Sequence, residues 1–121
     1  MQYIGVDIIE MARIEKAVDC WKERFLNRVY TDSELTLCNN NPSALAVRFA
    51  GKEAVMKVLS TGTRGISWRE IEILAEPSGK PSIKLYDKAR KKASELGLEN
   101  IAISLSHSKE YAVAFAAGEA K

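Results

Sequence analysis

The sequence is poor in the residues that build metal cages and covalent staples: one histidine and two cysteines in 121 residues. A zinc site made of clustered Cys and His is therefore excluded. The lone His107 sits in "SLSHSKEY" beside Ser104, Ser106 and Ser108, but no Gly-x-Ser-x-Gly elbow accompanies it. The glycine- and hydroxyl-bearing "STGTRG" lacks the Gly-Lys-Ser/Thr ending of a phosphate-binding P-loop. No apolar run approaches the ~20 residues that a membrane span needs. The opening "MQYIGVDII" carries no basic leader and no small-residue cleavage site, which predicts a cytoplasmic chain with Cys20 and Cys38 as free thiols. Charge of one sign is also scarce. Eighteen Lys and Arg face sixteen Asp and Glu, for a net +2, with no aromatic-basic platform. Nucleic acid is not an expected partner.

What is present fits one globular domain over residues 1–121, long enough for a real core. "QYIGVDII" reads as a short strand that Asp7 interrupts near its end. From Ile9 to about Arg28 apolar residues recur at threes and fours, predicting one helix with Met11, Ile14, Val18, Trp21 and Phe25 inward. "TDSE" at residues 31–34 has capping-box form. Ser43 is read as the N-cap of a long helix that runs to about Ser60 and is broken by Gly62. In "EIEIL", Ile71 and Ile73 alternate with Glu70 and Glu72, a half-buried strand. "PSGKP" is a turn and "SIKLY" the return strand. "DKARKKASELG" predicts a surface helix ended by Gly97, and "IAISLSHSKEYAVAFAA" two strands joined near Ser108–Lys109. The sum is an α+β fold, a mostly antiparallel sheet packed with one long helix and shorter ones.

Three clusters hold possible chemistry. On a continuous first helix, with Arg13 at zero, Arg24 falls near ~20°, Arg28 near ~60° and Lys16 near ~300°. The bases thus form a stripe apart from Glu15, Asp19 and Glu23. It is either a solvated face or a dock for an acidic partner. Asp7, a carboxylate ending an apolar strand, is either a helix N-cap or a metal ligand needing a second carboxylate. Glu53 lies among Arg48, Lys52 and Lys57 in "RFAGKEAVMKVL". Its spacing to Lys57 suits an exposed i,i+4 ion pair; with Asp7 it suits a metal-bridged phosphate. His107 is read locally as a surface or hydrogen-bonding residue, and "SGKP" as a hairpin turn before a phosphate contact.

Taken in order, "IGVDIIEMARIEKAV", "RFAGKEAVMKVL", "GTRGISWREIEIL", "SGKPSIKL" and "ISLSHSKEYAVAFA" resemble the holo-acyl-carrier-protein synthases, the small bacterial-type branch of the 4′-phosphopantetheinyl transferases. The resemblance implies transfer of phosphopantetheine from coenzyme A to a serine of an apo-acyl carrier protein, leaving adenosine 3′,5′-bisphosphate, for fatty acid biosynthesis. It implies Mg²⁺ held by Asp7 and Glu53 against the coenzyme A diphosphate, with Lys57 on the phosphate under attack. Arg48 and His107 would bind other phosphates, and Gly79, Lys80, Pro81 and Ser108 would lie near the nucleotide. Arg13 matches the surface that receives the carrier protein; Lys16, Arg24 and Arg28 follow from the stripe, in a region whose length varies across the family. Homotrimers with each active site between two subunits are implied as well. The serine proton would pass to Glu53, or to a metal-held water that it orients. Two other readings compete: a non-catalytic module that binds an acidic helix, and a nucleotide-binding protein that hydrolyses a diphosphate.

Overall fold

The computed structural model describes residues 1–60 and 65–120. Strand β1 spans Gln2–Glu10 and leads into helix α1, Met11–Trp21, and helix α2, Glu23–Val29. Helix α3 is Asp32–Cys38 and the long α4 is Pro42–Val58. A short 3-10 turn, Trp68–Glu70, precedes β2, Ile71–Ala75, and β3, Pro81–Leu85. Helix α5, Asp87–Glu95, then leads to β4, Leu98–His107, and β5, Tyr111–Ala120. Two antiparallel sheets result, one ordered β1-β5-β4 and one a β2-β3 hairpin.

Helix α4 crosses the three-stranded sheet, and residue size explains how closely. The inward row of β5 is Ala112, Ala114, Ala116 and Gly118, all buried. Ala46, Ala50, Ala54 and Val58 of α4 are fully buried as well. Small faces on both partners bring the helix axis near the strands. Gly5 sharpens this: a Cβ there would stand 2.0 Å from the Ala54 carbonyl oxygen. Gly51 does the same where α4 meets Ile73 and Ile103, at 2.6 and 3.1 Å from such a Cβ.

Strand β1 alternates strictly. Gly5 and Ile9 are buried and Asp7 half-buried under α4, while Ile4, Val6 and Ile8 point outward, 55, 51 and 64 % exposed. Asp7 does not interrupt the strand. It pairs with Ala114 within an unbroken ladder from Gln2 to Glu10, because β5 supplies a hydrogen-bond partner along the whole length. Nor does it cap α1, whose N-cap is Glu10 without a side-chain hydrogen bond.

The expected single first helix is two. Lys22 adopts φ 47°, ψ −124°, so α1 stops and α2 restarts. The break lets Ile14 of α1 join the core with α4, while Phe25 of α2 turns toward Tyr30 and Phe49, ring centroids 6.1 and 6.2 Å away. Trp21, read as inward, is instead 59 % exposed at the break. The capping box is present as expected: the Thr31 hydroxyl accepts from the Glu34 amide. Helix α4 starts two residues earlier than predicted. Asn41 is its N-cap, accepting from the Ala44 amide at 3.0 Å, with Pro42 following it, a pairing preferred over Ser43 because proline suits the first helical position. The helix ends at Val58, and the Gly62 stop lies outside the described residues.

Candidate active site

Asp7, Glu53 and Lys57 converge where β1 passes beneath α4. The Gly5–Ala54 approach sets the distance, and Asp7, two residues along β1, projects to the same side as Gly5. Lys57 donates to the Val6 carbonyl at 2.7 Å and to Asp7 Oδ1 at 3.4 Å. The Asp7 side chain is 15 % exposed and that of Lys57 52 %. The i,i+4 pair of Glu53 with Lys57 foreseen on local grounds does not form as an ion pair; the ammonium turns to β1 instead. Burial, then the neighbouring Asp7 carboxylate, holds Glu53 above the usual carboxylate range, opposed by Lys57 and Arg13. Arg13, placed by the sequence only on a docking face, thus also bears on Glu53.

Two half-buried carboxylates that repel each other fit a hard divalent cation set between them. Among the described residues no group of three or more His, Cys, Asp or Glu side chains forms a cage. Asp7 and Glu53 would supply the one or two carboxylates that Mg²⁺ takes, its other positions being kept for water and substrate phosphate. Lys57 beside the pair adds a donor for an anionic oxygen.

The other expected ligand residues lie elsewhere. Arg48 and Lys57 are nine residues apart on α4, ~180° around the helix. The Arg48 guanidinium donates to the Ile73 carbonyl at 3.0 Å and the Ala44 carbonyl at 3.2 Å. His107 ends β4 opposite Ala112 and lines a cavity of about 390 Å³ with Cys38, Asn41, Ser43 and Val47. Burial pushes the Cys38 thiol up, and Arg48 beside it pulls the other way, so Arg48 and this cavity share one flank of α4. Ser108 lies in the β4–β5 turn, its hydroxyl accepting from the Tyr111 amide at 3.2 Å. Gly79 and Lys80 form the tip of the β2–β3 hairpin, with Pro81 starting β3 opposite Ala75. Arg48 lies five residues before Glu53, ~140° around the helix, so Arg48 and the His107 cavity occupy a different flank of α4 from the carboxylate pair.

Lys52 is corrected outright. Foreseen as a cation beside Glu53, it is fully buried on another face of α4. Its ammonium donates to Glu34 Oε1 at 2.7 Å, the Trp68 carbonyl at 3.0 Å and the Ile71 carbonyl. Burial pulls it below its usual range, and Glu34 counters. Glu34, read only as a capping residue, also accepts from the Thr31 amide at 2.9 Å and the Ile73 amide at 2.7 Å. Glu72, read as solvent-facing, is buried and accepts from the Thr31 hydroxyl at 2.6 Å and the Tyr86 hydroxyl at 2.9 Å.

The basic stripe is redistributed by the helix break. Arg13 and Lys16 are exposed on α1; Arg24 and Arg28 are exposed on α2 and no longer follow the continuous wheel. The Arg24 guanidinium lies 6.0 Å from the centroid of the exposed Trp21 ring.

Comparisons with known proteins bear on this arrangement. Residues 3–116 match the 4′-phosphopantetheinyl transferase superfamily. A holo-acyl-carrier-protein synthase of Dehalococcoides mccartyi is 53 % identical over 94 % of this chain and 95 % of its own. One from Herpetosiphon aurantiacus is 42 % identical over 98 % of both. Among solved structures, the Helicobacter pylori holo-acyl-carrier-protein synthase in complex with coenzyme A superposes with TM-score 0.88 at 35 % identity, covering 96 % of this chain and 99 % of that one. The Neisseria meningitidis synthase gives 0.89 at 33 %, covering 97 % of each.

Proposed function

The chain belongs to the 4′-phosphopantetheinyl transferase superfamily, and on that premise we propose that it moves the 4′-phosphopantetheine group from coenzyme A to a serine of an apo-acyl carrier protein, yielding holo-carrier protein and adenosine 3′,5′-bisphosphate. Fatty acid biosynthesis is the process served. The observation that carries this is the convergence of Asp7, Glu53 and Lys57 from two elements on a chain whose named relatives are synthases of this activity.

In the reaction the serine hydroxyl oxygen bonds to the β-phosphorus, and the bond from that phosphorus to the oxygen bridging to the nucleotide breaks. Glu53 takes the serine proton, directly or through one water. Lys57 faces the phosphate under attack and balances charge on its oxygens. Asp7 and Glu53 would hold Mg²⁺, which when bound supplies positive charge to the diphosphate. Arg48, His107, Ser108, Gly79, Lys80 and Pro81 bind the nucleotide end. Arg13 and Lys16 on α1, with Arg24 and Arg28 on α2, receive the acidic carrier protein.

A homotrimer reconciles the geometry. Arg48 and the His107 cavity lie on a different flank of α4 from the carboxylate pair, so a coenzyme A bridging two subunits would meet one set from each. The outer sheet face, exposing Ile4, Val6, Ile8 and Phe115, is an apolar surface fit for burial between copies. The domain, residues 1–121, works in the cytoplasm; among the described residues no helix is long and apolar enough to cross a membrane.

Incubating the chain with coenzyme A, Mg²⁺ and apo-carrier protein tests the reading. Mass spectrometry should show a gain of about 340 Da on the carrier, the phosphopantetheinyl increment expected for this phosphoryl transfer. No gain under any divalent metal refutes it. Light scattering should return the mass of a trimer, and a monomer would sink the shared-site account.

A further inference from the structure

The transfer chemistry has no use for the pair Lys52–Glu34, yet it is among the most completely enclosed polar groups in the fold. Both side chains are fully buried, 2.7 Å apart. Every proton of the ammonium has an acceptor: Glu34, the Trp68 carbonyl and the Ile71 carbonyl. The second Glu34 oxygen holds the Ile73 amide. One ion pair therefore ties α4 to α3, to the 3-10 turn and to β2. Three residues earlier on the same helix face, Phe49 stacks on Trp68 with centroids 4.8 Å apart. A buried ion pair adds little net stability compared with apolar residues of the same volume, and its best-attested use is to fix one arrangement among several.

The arrangement fixed here is the rotation of α4 about its axis. Lys52 directly precedes Glu53, ~100° away on the helix. On one side α4 rests on β1 at Gly5, a backbone contact that sets the distance of the helix from the strand. On another side the Lys52 cage blocks rolling. At a side-chain radius of ~5–6 Å, a 10° roll displaces the Glu53 carboxylate by about 1 Å. Displacements of that size cost about 100-fold in rate.

We propose that Lys52, clamped by Glu34, is a positioning residue of the transfer site: it sets the roll of α4 so that Glu53 meets Asp7 across one cation. The proposal rests on the reading of Asp7 and Glu53 as the metal-holding pair.

The variant Lys52→Met alone strands Glu34 without a counter-charge, so the test uses Lys52→Met with Glu34→Gln. This removes both charges and keeps an acceptor for the Ile73 amide. Lys52→Arg is the companion: it keeps the charge but places a planar fork where a compact ammonium met three acceptors. Circular dichroism and thermal melts establish folding. Expected in both folded variants are a kcat about 100-fold down, from the displacement argument, and an unchanged KM for the carrier protein. Mn²⁺ affinity, read by its electron paramagnetic resonance signal without carrier protein, should fall about 10-fold, as when residues supporting a metal ligand are lost. Wild-type kcat and Mn²⁺ affinity in the folded double variant overturn the proposal, as they do in Lys52→Arg where the double variant does not fold. A wild-type chain that transfers nothing overturns the transferase reading instead, and Mn²⁺ affinity then still reports on Lys52.

Discussion

Gly5 and Ala54 meet backbone to backbone, with room for a hydrogen at Gly5 and none for a methyl group: a Cβ would lie 2.0 Å from the Ala54 oxygen. The obstacle is a helix carbonyl, which cannot rotate aside. Gly5→Ala should therefore destabilise the fold by about 3 kcal/mol, the upper part of the range for overpacking. Thermal unfolding measures this, and activity of the remaining folded fraction should fall further because Asp7 shifts with the strand. An alanine variant melting with wild type would mean that β1 can slide without loss.

Removing either carboxylate tests the proposal that Asp7 and Glu53 hold a metal. Asp7→Asn and Glu53→Gln each keep shape while halving the negative charge. Each should lower kcat by at least about 100-fold, a loss in the range seen when one electrostatic group of an active site is removed. Excess Mg²⁺ should restore part of the activity of Asp7→Asn, where the base remains, and little of that of Glu53→Gln. Metal-titrated initial rates check this; intact turnover and metal dependence in Glu53→Gln would remove it from catalysis.

The cations of α1 and α2 should separate from one another. Arg13 influences Glu53, whereas Arg24 lies over Trp21 at the helix break. Arg24→Ala should raise KM for the carrier in a salt-sensitive way while sparing kcat and coenzyme A binding. Arg13→Ala should raise the same KM and also shift the kcat–pH profile upward, because a cation that lowers the Glu53 pKa has gone. Rates at two ionic strengths and several pH values test both.

Tyr30 offers a pH test outside the site. Burial, with Cys38 and Glu34 adding to it, raises its phenol above the usual tyrosine range, and the hydroxyl donates to the Leu45 carbonyl at 2.7 Å. For a group with a raised folded pKa, the stabilising contribution is complete below the unfolded value, about 10 for tyrosine, and is lost as pH rises above it. Stability should therefore decline above about pH 10, and less steeply in Tyr30→Phe. Denaturant melts across that range would show it; identical slopes would refute the assignment.

Local signals in the sequence were reliable where one element decides the outcome. The Thr31–Glu34 box, the β2–β3 hairpin and the β4–β5 turn stand where pattern places them, because their partners are a few residues away. Failures came where a distant partner intervened. Glu72 alternates like a wet residue, but Thr31 and Tyr86 hydroxyls reach it across the fold. Lys52 sits in a run of cations, and only the folded chain brings Glu34 to it. The first helix keeps its apolar period through Lys22, and no residue there announces the break; it follows from α1 and α2 packing on different neighbours. Of the candidate site, Asp7, Glu53 and Lys57 were legible as a group, although their meeting depends on Gly5, whose role as a spacer the motif alone did not state.

Strand β1 assigns its two faces to separate tasks, with Gly5 and Asp7 turned under α4 and Ile4, Val6 and Ile8 turned out. A slip of one residue against β5 would exchange the faces completely. Bulky Val6 would then press into the space kept for a glycine, and Asp7 would stand in the apolar row. Chemistry and surface cannot drift apart in this strand: a single registration with β5 fixes both, and an insertion anywhere between Gln2 and Ile9 would abolish the two together.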